Sequence, residues 1–192
     1  MKNSVKKEIE ELIEKFKLNC SIEEFKDILN WNAMSWRPNL SEDFIREFQD
    51  KVDWAKISKH QKLSLDFIRE FKDKVNWDII FMYQKLSENF IREFKDKVHW
   101  EYLSYYQNLF EDFIREFQNK VHWTRISIRQ KLSENFILEF KDKINWEMLG
   151  KSQNITKKDI EELEKEELEK EEYELEKLQK TRVKNKFQLI RF

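Results

Sequence analysis

His99 and His122 stand one 23-residue step apart, and a histidine pair is a common beginning of a metal site. Zinc needs its ligand nitrogens about 2 Å from one ion. Equivalent atoms in stacked helical repeats lie roughly 8–10 Å apart, so this pair is not expected to close on a metal. Cys20 is the single cysteine. It allows no intramolecular disulfide, and with no histidine near it in sequence it lacks the base that would activate a thiol nucleophile. Gly150 is the only glycine, which excludes a glycine-rich phosphate loop. Carboxylates are abundant, but each has a regular basic neighbour, and no pair stands apart in an apolar setting as acid–base chemistry needs. The residue types therefore point to a protein that is not an enzyme and uses no cofactor or metal.

What remains is the chemistry of recognition. Six tryptophans (Trp31, Trp54, Trp77, Trp100, Trp123 and Trp146) follow one another at 23-residue intervals, and only Trp36 lies outside the series. Downstream of each, the repeats disagree. The second, fifth and sixth residues after tryptophan read Lys56, Lys59, His60; then Ile79, Met82, Tyr83; then Tyr102, Tyr105, Tyr106; then Arg125, Ile128, Arg129; and then Met148, Lys151, Ser152. Offsets of three and four place these on one face of a helix, roughly opposite the core stripe. Tyr, Met and Arg are enriched at protein interfaces. The strip is the expected partner site, centred on Tyr83, Tyr102, Tyr105 and Tyr106. A competing role for the same side chains is to fill gaps between neighbouring helices.

The elements that must carry this strip follow from the period. A 23-residue repeat over most of 192 residues means a tandem array, and such arrays work through a surface laid out along their length. Five full units begin at Leu40, Leu63, Leu86, Leu109 and Leu132. Ser41, Ser64, Ser87 and Ser133 read as helix N-caps, and Phe110 takes that place in the fourth unit, so its helix should start less firmly. Phe44, Ile45, Phe48 and Val52 then give one apolar stripe and predict a first helix, A, of about three turns. Glu47–Lys51 and Arg46–Asp50 are spaced as i,i+4 pairs on it. Arg46, Arg69, Arg92 and Arg115 beside Glu47, Glu70, Glu93 and Glu116 read as a solvated outer face. Asp53, Asn76, His99, His122 and Asn145 are the next cap positions, histidine being the poorer cap. Behind them Trp54, Ile57 and Gln61 predict a helix B of about two turns. Neither helix is stable alone at such lengths, so the tryptophan ladder is expected to be structural core that holds the units together.

The fold class expected is therefore all-α: an α-solenoid of helix-hairpin repeats. Residues 1–39 form an N-terminal cap and degenerate repeat, in which Val5, Ile9, Leu12 and Phe16 stripe a capping helix and Ile22, Phe25, Leu29, Trp31 and Met34 keep the repeat's apolar positions. Residues 40–154 are the five units. Residues 155–192 form a long charged C-terminal helix, with Thr156 and Asp159 as its cap and Ile155, Ile160 and Leu163 as its apolar positions. Its first part is acidic. From Lys177 to Phe192 it carries basic residues and no acid, and it offers a route to self-association.

Charge bounds the partners. Lys and Arg number 37, Asp and Glu 38, for a net charge of −1. Such balance steers the chain toward neither nucleic acid nor an anionic membrane. A charged amphipathic start without an apolar core argues against a signal peptide, and no run approaches the roughly 18 apolar residues of a membrane span. Sequons at Asn19, Asn39 and Asn154 mean little without secretion. The expected location is cytoplasmic or intracellular. The expected activity is non-enzymatic protein binding, with two alternatives: a single-strand nucleic-acid reader using stacked Tyr and Arg, and a self-assembling structural protein.

The unit LSENFIREFKDKVNW, continued after five residues by YQK, resembles uncharacterised 23-residue tandem helical repeats of giant DNA viruses, phages and AT-rich bacteria. The resemblance covers about residues 40–154. It implies a virus- or phage-encoded protein acting on a host or defence component, an expectation by analogy.

Overall fold

A helix begins where the chain supplies an acceptor for the free N–H groups of its first turn. In the computed structural model, which describes residues 1–162, 165, 168–169, 172–173 and 175–178, Ser41 accepts the Phe44 N–H at 3.0 Å and Ser64 that of Phe67 at 3.1 Å. Ser87 and Ser133 cap Phe90 and Phe136 in the same way. These serines open the A helices α4 (Glu42–Glu47), α6 (Leu65–Glu70), α8 (Glu88–Glu93) and α12 (Glu134–Glu139). Asp53, Asn76 and Asn145 cap the B helices α5 (Trp54–His60), α7 (Trp77–Tyr83) and α13 (Trp146–Gln153). His99, Phe110 and His122 make no side-chain cap to α9 (Trp100–Tyr106), α10 (Glu111–Glu116) and α11 (Trp123–Arg129). Three helix starts in succession thus lack the bond that steadies the others.

The chain opens with α1 (Asn3–Phe16), α2 (Ile22–Ile28) and α3 (Trp31–Trp36), and A and B helices then alternate with no strand among the described residues. Two compact units are distinguished, Met1–Leu109 and Phe110–Phe192. In the first, α1 packs on α2 and α4, and the B helices α3, α5, α7 and α9 stack in order. In the second, α11 stacks on α13.

The A helices are shorter than the three turns expected, six residues each. Phe48 leaves the helix at φ −112° and ψ 26°, and Phe71, Phe94, Phe117 and Phe140 do nearly the same. That bridge conformation starts a turn that brings Val52 back to the core. The Val52 N–H still bonds the Phe48 carbonyl, at 3.1 Å. In the third unit the turn is a 3₁₀ segment, Lys95–Lys97.

Phe44, Ile45 and Ile57 and their equivalents are fully buried. The tryptophans sit at the margin of this core, each half-buried. The indole Nε1–H of Trp31, Trp54, Trp77 and Trp123 donates at 2.9 Å to the carbonyl five residues before it. One carbonyl left open by the end of the A helix is satisfied this way. The ring lies against a phenylalanine of the next repeat: Trp31 on Phe48 at 4.8 Å, Trp54 on Phe71 at 4.9 Å, Trp77 on Phe94 at 4.7 Å and Trp123 on Phe140 at 5.0 Å. The indole closes one hairpin and packs onto the next.

Polar side chains inside each unit complete the joint. Ser58 is buried, donates to the Trp54 carbonyl at 2.7 Å and accepts the Asn76 N–H at 3.0 Å. Ser35 and Ser127 do the same for Asp53 and Asn145. Gln84 is buried too. It accepts the Leu63 N–H at 3.2 Å and donates to the Ser58 and Gln61 carbonyls, both at 2.8 Å. Gln61, Gln107 and Gln153 repeat the bond to a leucine N–H one repeat back. No buried side-chain nitrogen or oxygen among the described residues lacks a partner.

On the A side, the arginines reach across repeats. Arg46 bonds Glu70 at 2.8 Å, Arg69 bonds Glu93 at 2.9 Å and Arg115 bonds Glu139 at 2.7 Å. Each guanidinium also covers a phenylalanine ring of that next repeat, at 4.9–5.1 Å. The Arg46–Asp50 pair expected from spacing gives way to this arrangement, and Asp50 instead takes Lys74 at 2.9 Å.

The N-terminal helix imitates an A helix. Glu8 on α1 accepts the Ser41 N–H at 3.1 Å, as Glu42 accepts that of Ser64 and Glu111 that of Ser133, both at 2.6 Å. Val5, Ile9 and Leu12 are buried beneath α1, while Phe16 lies outside the core with the Arg37 guanidinium over its ring at 4.8 Å. Near the other end, Thr156 and Asp159 form the expected reciprocal cap and Ile160 is buried. Leu163 and residues 179–192, with most of the basic segment, lie outside the described residues.

Candidate interaction surface

Each B helix buries the third residue after its tryptophan, and all but α13 bury the fourth as well, for example Ile57 and Ser58, or Leu103 and Ser104. At the second place, Lys56, Ile79, Tyr102 and Arg125 are all half-buried. The fifth and sixth are the more open ones, and they differ by unit. Lys59 and Arg129 are exposed, His60, Met82, Tyr105 and Ile128 are half-buried, and Tyr83 and Tyr106 are 52% and 47% exposed. The strip read from the sequence is thus two rows, the half-buried second places and an outer row of fifth and sixth places that range from half-buried to exposed.

In the first unit the outer row is largely aromatic and its members touch. The most open ring is one the periodicity set aside. Trp36, at the fifth place after Trp31, is 62% exposed. It meets His60 of the next B helix at 5.0 Å. Lys59 lays its Nζ 5.1 Å above the Tyr83 ring. On α9, Tyr106 meets Tyr105 at 4.9 Å and Tyr102 at 6.5 Å. Tyr102 stacks at 4.2 Å on His99, the residue that precedes its own helix without capping it. The signal for Trp36 was its register, which matches Lys59, Met82 and Tyr105. In the second unit, α11 carries Arg125, Ile128 and Arg129, and α13 carries Lys151, paired with Glu147 at 2.5 Å.

Charge on the first unit's strip is uneven. Lys56 is paired with Asp53 at 3.3 Å. Burial pushes the Asp53 carboxyl up, but the Lys56 N–H, the Lys56 ammonium and the Ala55 N–H outweigh it and hold the group below the usual aspartate value. Among the described residues no carboxylate pairs with Lys59. The second, fifth and sixth places hold no acid in any repeat, while the first place holds Asp78 and Glu101 in this unit. The face is therefore an aromatic row with an unneutralised ammonium, beside an acidic margin.

Elsewhere in that unit a groove of about 660 Å³ lies between α1 and the chain that leads into α4. Its Glu8, Glu11, Lys7, Lys15 and Arg37 mix both signs, and Glu8 is already committed to Ser41. No cluster of His, Cys, Asp or Glu suited to a metal ion occurs among the described residues. No helix among them is long and apolar enough to cross a membrane. Comparison with family models, with curated proteins and with solved structures finds no match.

Proposed function

We propose that this chain is a non-enzymatic binding module whose first unit engages a protein through the outer row of its stacked B helices. One observation carries the reading. Trp36, Tyr83 and Tyr106 are about half exposed or more, on helices whose core places are filled by other residues. Large rings left in water without a structural task are the residue types that anchor protein interfaces. One exposed ring per helix would also suit stacked bases. The exposed Asp78 at the row's margin and the nearly balanced net charge of −1 oppose a phosphate chain, so a protein is favoured.

The test is affinity capture from cell lysate with the wild type and with a Trp36→Ser, Tyr83→Ser, Tyr106→Ser variant, followed by calorimetry with the purified captured protein. The expected result is retention by the wild type, loss by the variant and superimposable far-ultraviolet circular dichroism. Equal retention by both, or binding only of single-stranded oligonucleotides, would refute the proposal.

A further inference from the structure

The charge pattern of the outer row specifies its occupant further. We propose, resting on the protein-binding reading above, that the first unit takes an apolar peptide segment carrying an isolated acidic side chain, and that Lys59 is the residue that seats this acid. Lys56 is neutralised by Asp53 at 3.3 Å, so its charge is spent inside the protein. The Lys59 ammonium stays over the Tyr83 ring at 5.1 Å, with no carboxylate paired to it among the described residues. A ring face beneath an ammonium holds the charge in place by its quadrupole while leaving its hydrogens free. A carboxylate arriving from solvent meets a positioned donor.

The surroundings limit how much negative charge is accepted. Toward α3 the row continues as His60 and Trp36, and toward α9 as Met82, Tyr105 and Tyr106, none of them acidic. Asp78 stands exposed at the row's margin. A polyanion such as single-stranded nucleic acid would bring phosphates against it. A single Asp or Glu within a run of apolar residues meets Lys59 and leaves the rings to be covered by its neighbours. Opposite charges matched locally, with like charges kept apart, set partner choice and register more than raw affinity.

The experiment is selection of a random 12-residue peptide library on three immobilised full-length proteins: wild type, Lys59→Glu, and the Trp36→Ser, Tyr83→Ser, Tyr106→Ser variant. The selected peptides are then synthesised and their Kd measured by fluorescence anisotropy, beside oligo-glutamate and oligo-thymidylate probes. The wild type is expected to enrich aromatic and aliphatic residues around one Asp or Glu. Lys59→Glu should bind those peptides roughly tenfold more weakly or worse, since like charges then face each other, and should enrich peptides with Lys or Arg at the acidic position. Oligo-glutamate and oligo-thymidylate should bind far more weakly than the selected peptides. Strip-dependent enrichment without an acidic position, or equal pools on wild type and Lys59→Glu, overturns the role of Lys59 and leaves the binding reading standing. No enrichment that depends on the three rings overturns both. Circular dichroism of each variant shows whether any loss is a loss of fold.

Discussion

Replacing Gln84 by leucine removes three hydrogen bonds from the joint between two repeats: one accepted from the Leu63 N–H at 3.2 Å and two donated to the Ser58 and Gln61 carbonyls at 2.8 Å. Each is worth about 1 kcal/mol net, and a buried group left without a partner costs about 1–3 kcal/mol. Gln84 is only 7% exposed, so water does not readily replace it. The expected loss is roughly 3–5 kcal/mol, large against the 5–15 kcal/mol typical of a domain. Gln84→Glu separates geometry from hydrogen bonding. Its shape is retained, but a carboxylate would face two carbonyl oxygens where an NH₂ now stands. The charged form is disfavoured in the fold, so the folded pKa rises above the unfolded value of about 4.3. The penalty is therefore complete above the folded pKa and fades as pH falls toward the unfolded one. Urea unfolding followed by circular dichroism at pH 7 and pH 5 reads both effects. The stability gap between wild type and Gln84→Leu should be the same at the two pH values, and that for Gln84→Glu should shrink at pH 5. A Gln84→Leu cost below about 1 kcal/mol, or a Gln84→Glu gap indifferent to pH, would refute a structural glutamine ladder.

Phe110 stands where serine caps the other A helices, and it is 77% exposed. Phe110→Ser should restore the cap and stabilise α10 by about 1 kcal/mol, read as slower amide exchange at Phe113 and Ile114; unchanged exchange would show that the missing cap is immaterial. Asp53, held below the usual aspartate value in the fold, contributes stability that is present above the unfolded pKa of about 3.9 and is lost as pH falls through the folded one. Asp53→Asn keeps an acceptor for the helix start, as Asn76 does, so its melting temperature should fall less than that of the wild type between pH 5 and pH 3. Parallel curves would remove Asp53 from the acid response.

The period, the all-helical class, the serine caps and the B helices were legible because the side chains that dictate them recur every 23 residues. The length of the A helix was not. Phe44, Phe48 and Val52 are spaced as on one continuous helix, and the bridge conformation at Phe48 leaves that spacing unchanged while turning the chain. The arginine partners were hidden for a related reason. When a charge pattern repeats every 23 residues, Glu70 relates to Arg46 much as Glu47 does, and only three dimensions separate neighbour from next repeat. Gln61 was visible in one respect: a polar residue held constant between units that vary elsewhere, as Gln61, Gln84, Gln107, Gln130 and Gln153 are, is a mark of buried hydrogen bonding. Trp36 was legible by register once the fifth place was recognised as the open one.

The division of labour within the B helix explains why its outer row is free to differ. Trp54 closes its hairpin through Nε1 and packs on Phe71. Ser58 joins its own turn to the next cap, and Gln84 holds the joint from one repeat on. Lys56 and Ile79 at the second place are half-buried, as are His60, Met82 and Tyr105, and so remain under packing constraint. What is left is the exposed members of the fifth and sixth places, Lys59, Tyr83 and Tyr106 among them, whose substitution touches none of these bonds. Surface changes away from such features usually shift stability by no more than about 0.5 kcal/mol. An array built this way can vary its exposed side chains one helix at a time, from Lys59 to Tyr83 and Tyr106, without renegotiating the fold. The half-buried tryptophans make that possible: Trp31, Trp54, Trp77 and Trp123 each fix a hairpin to the next one through a ring and a single N–H.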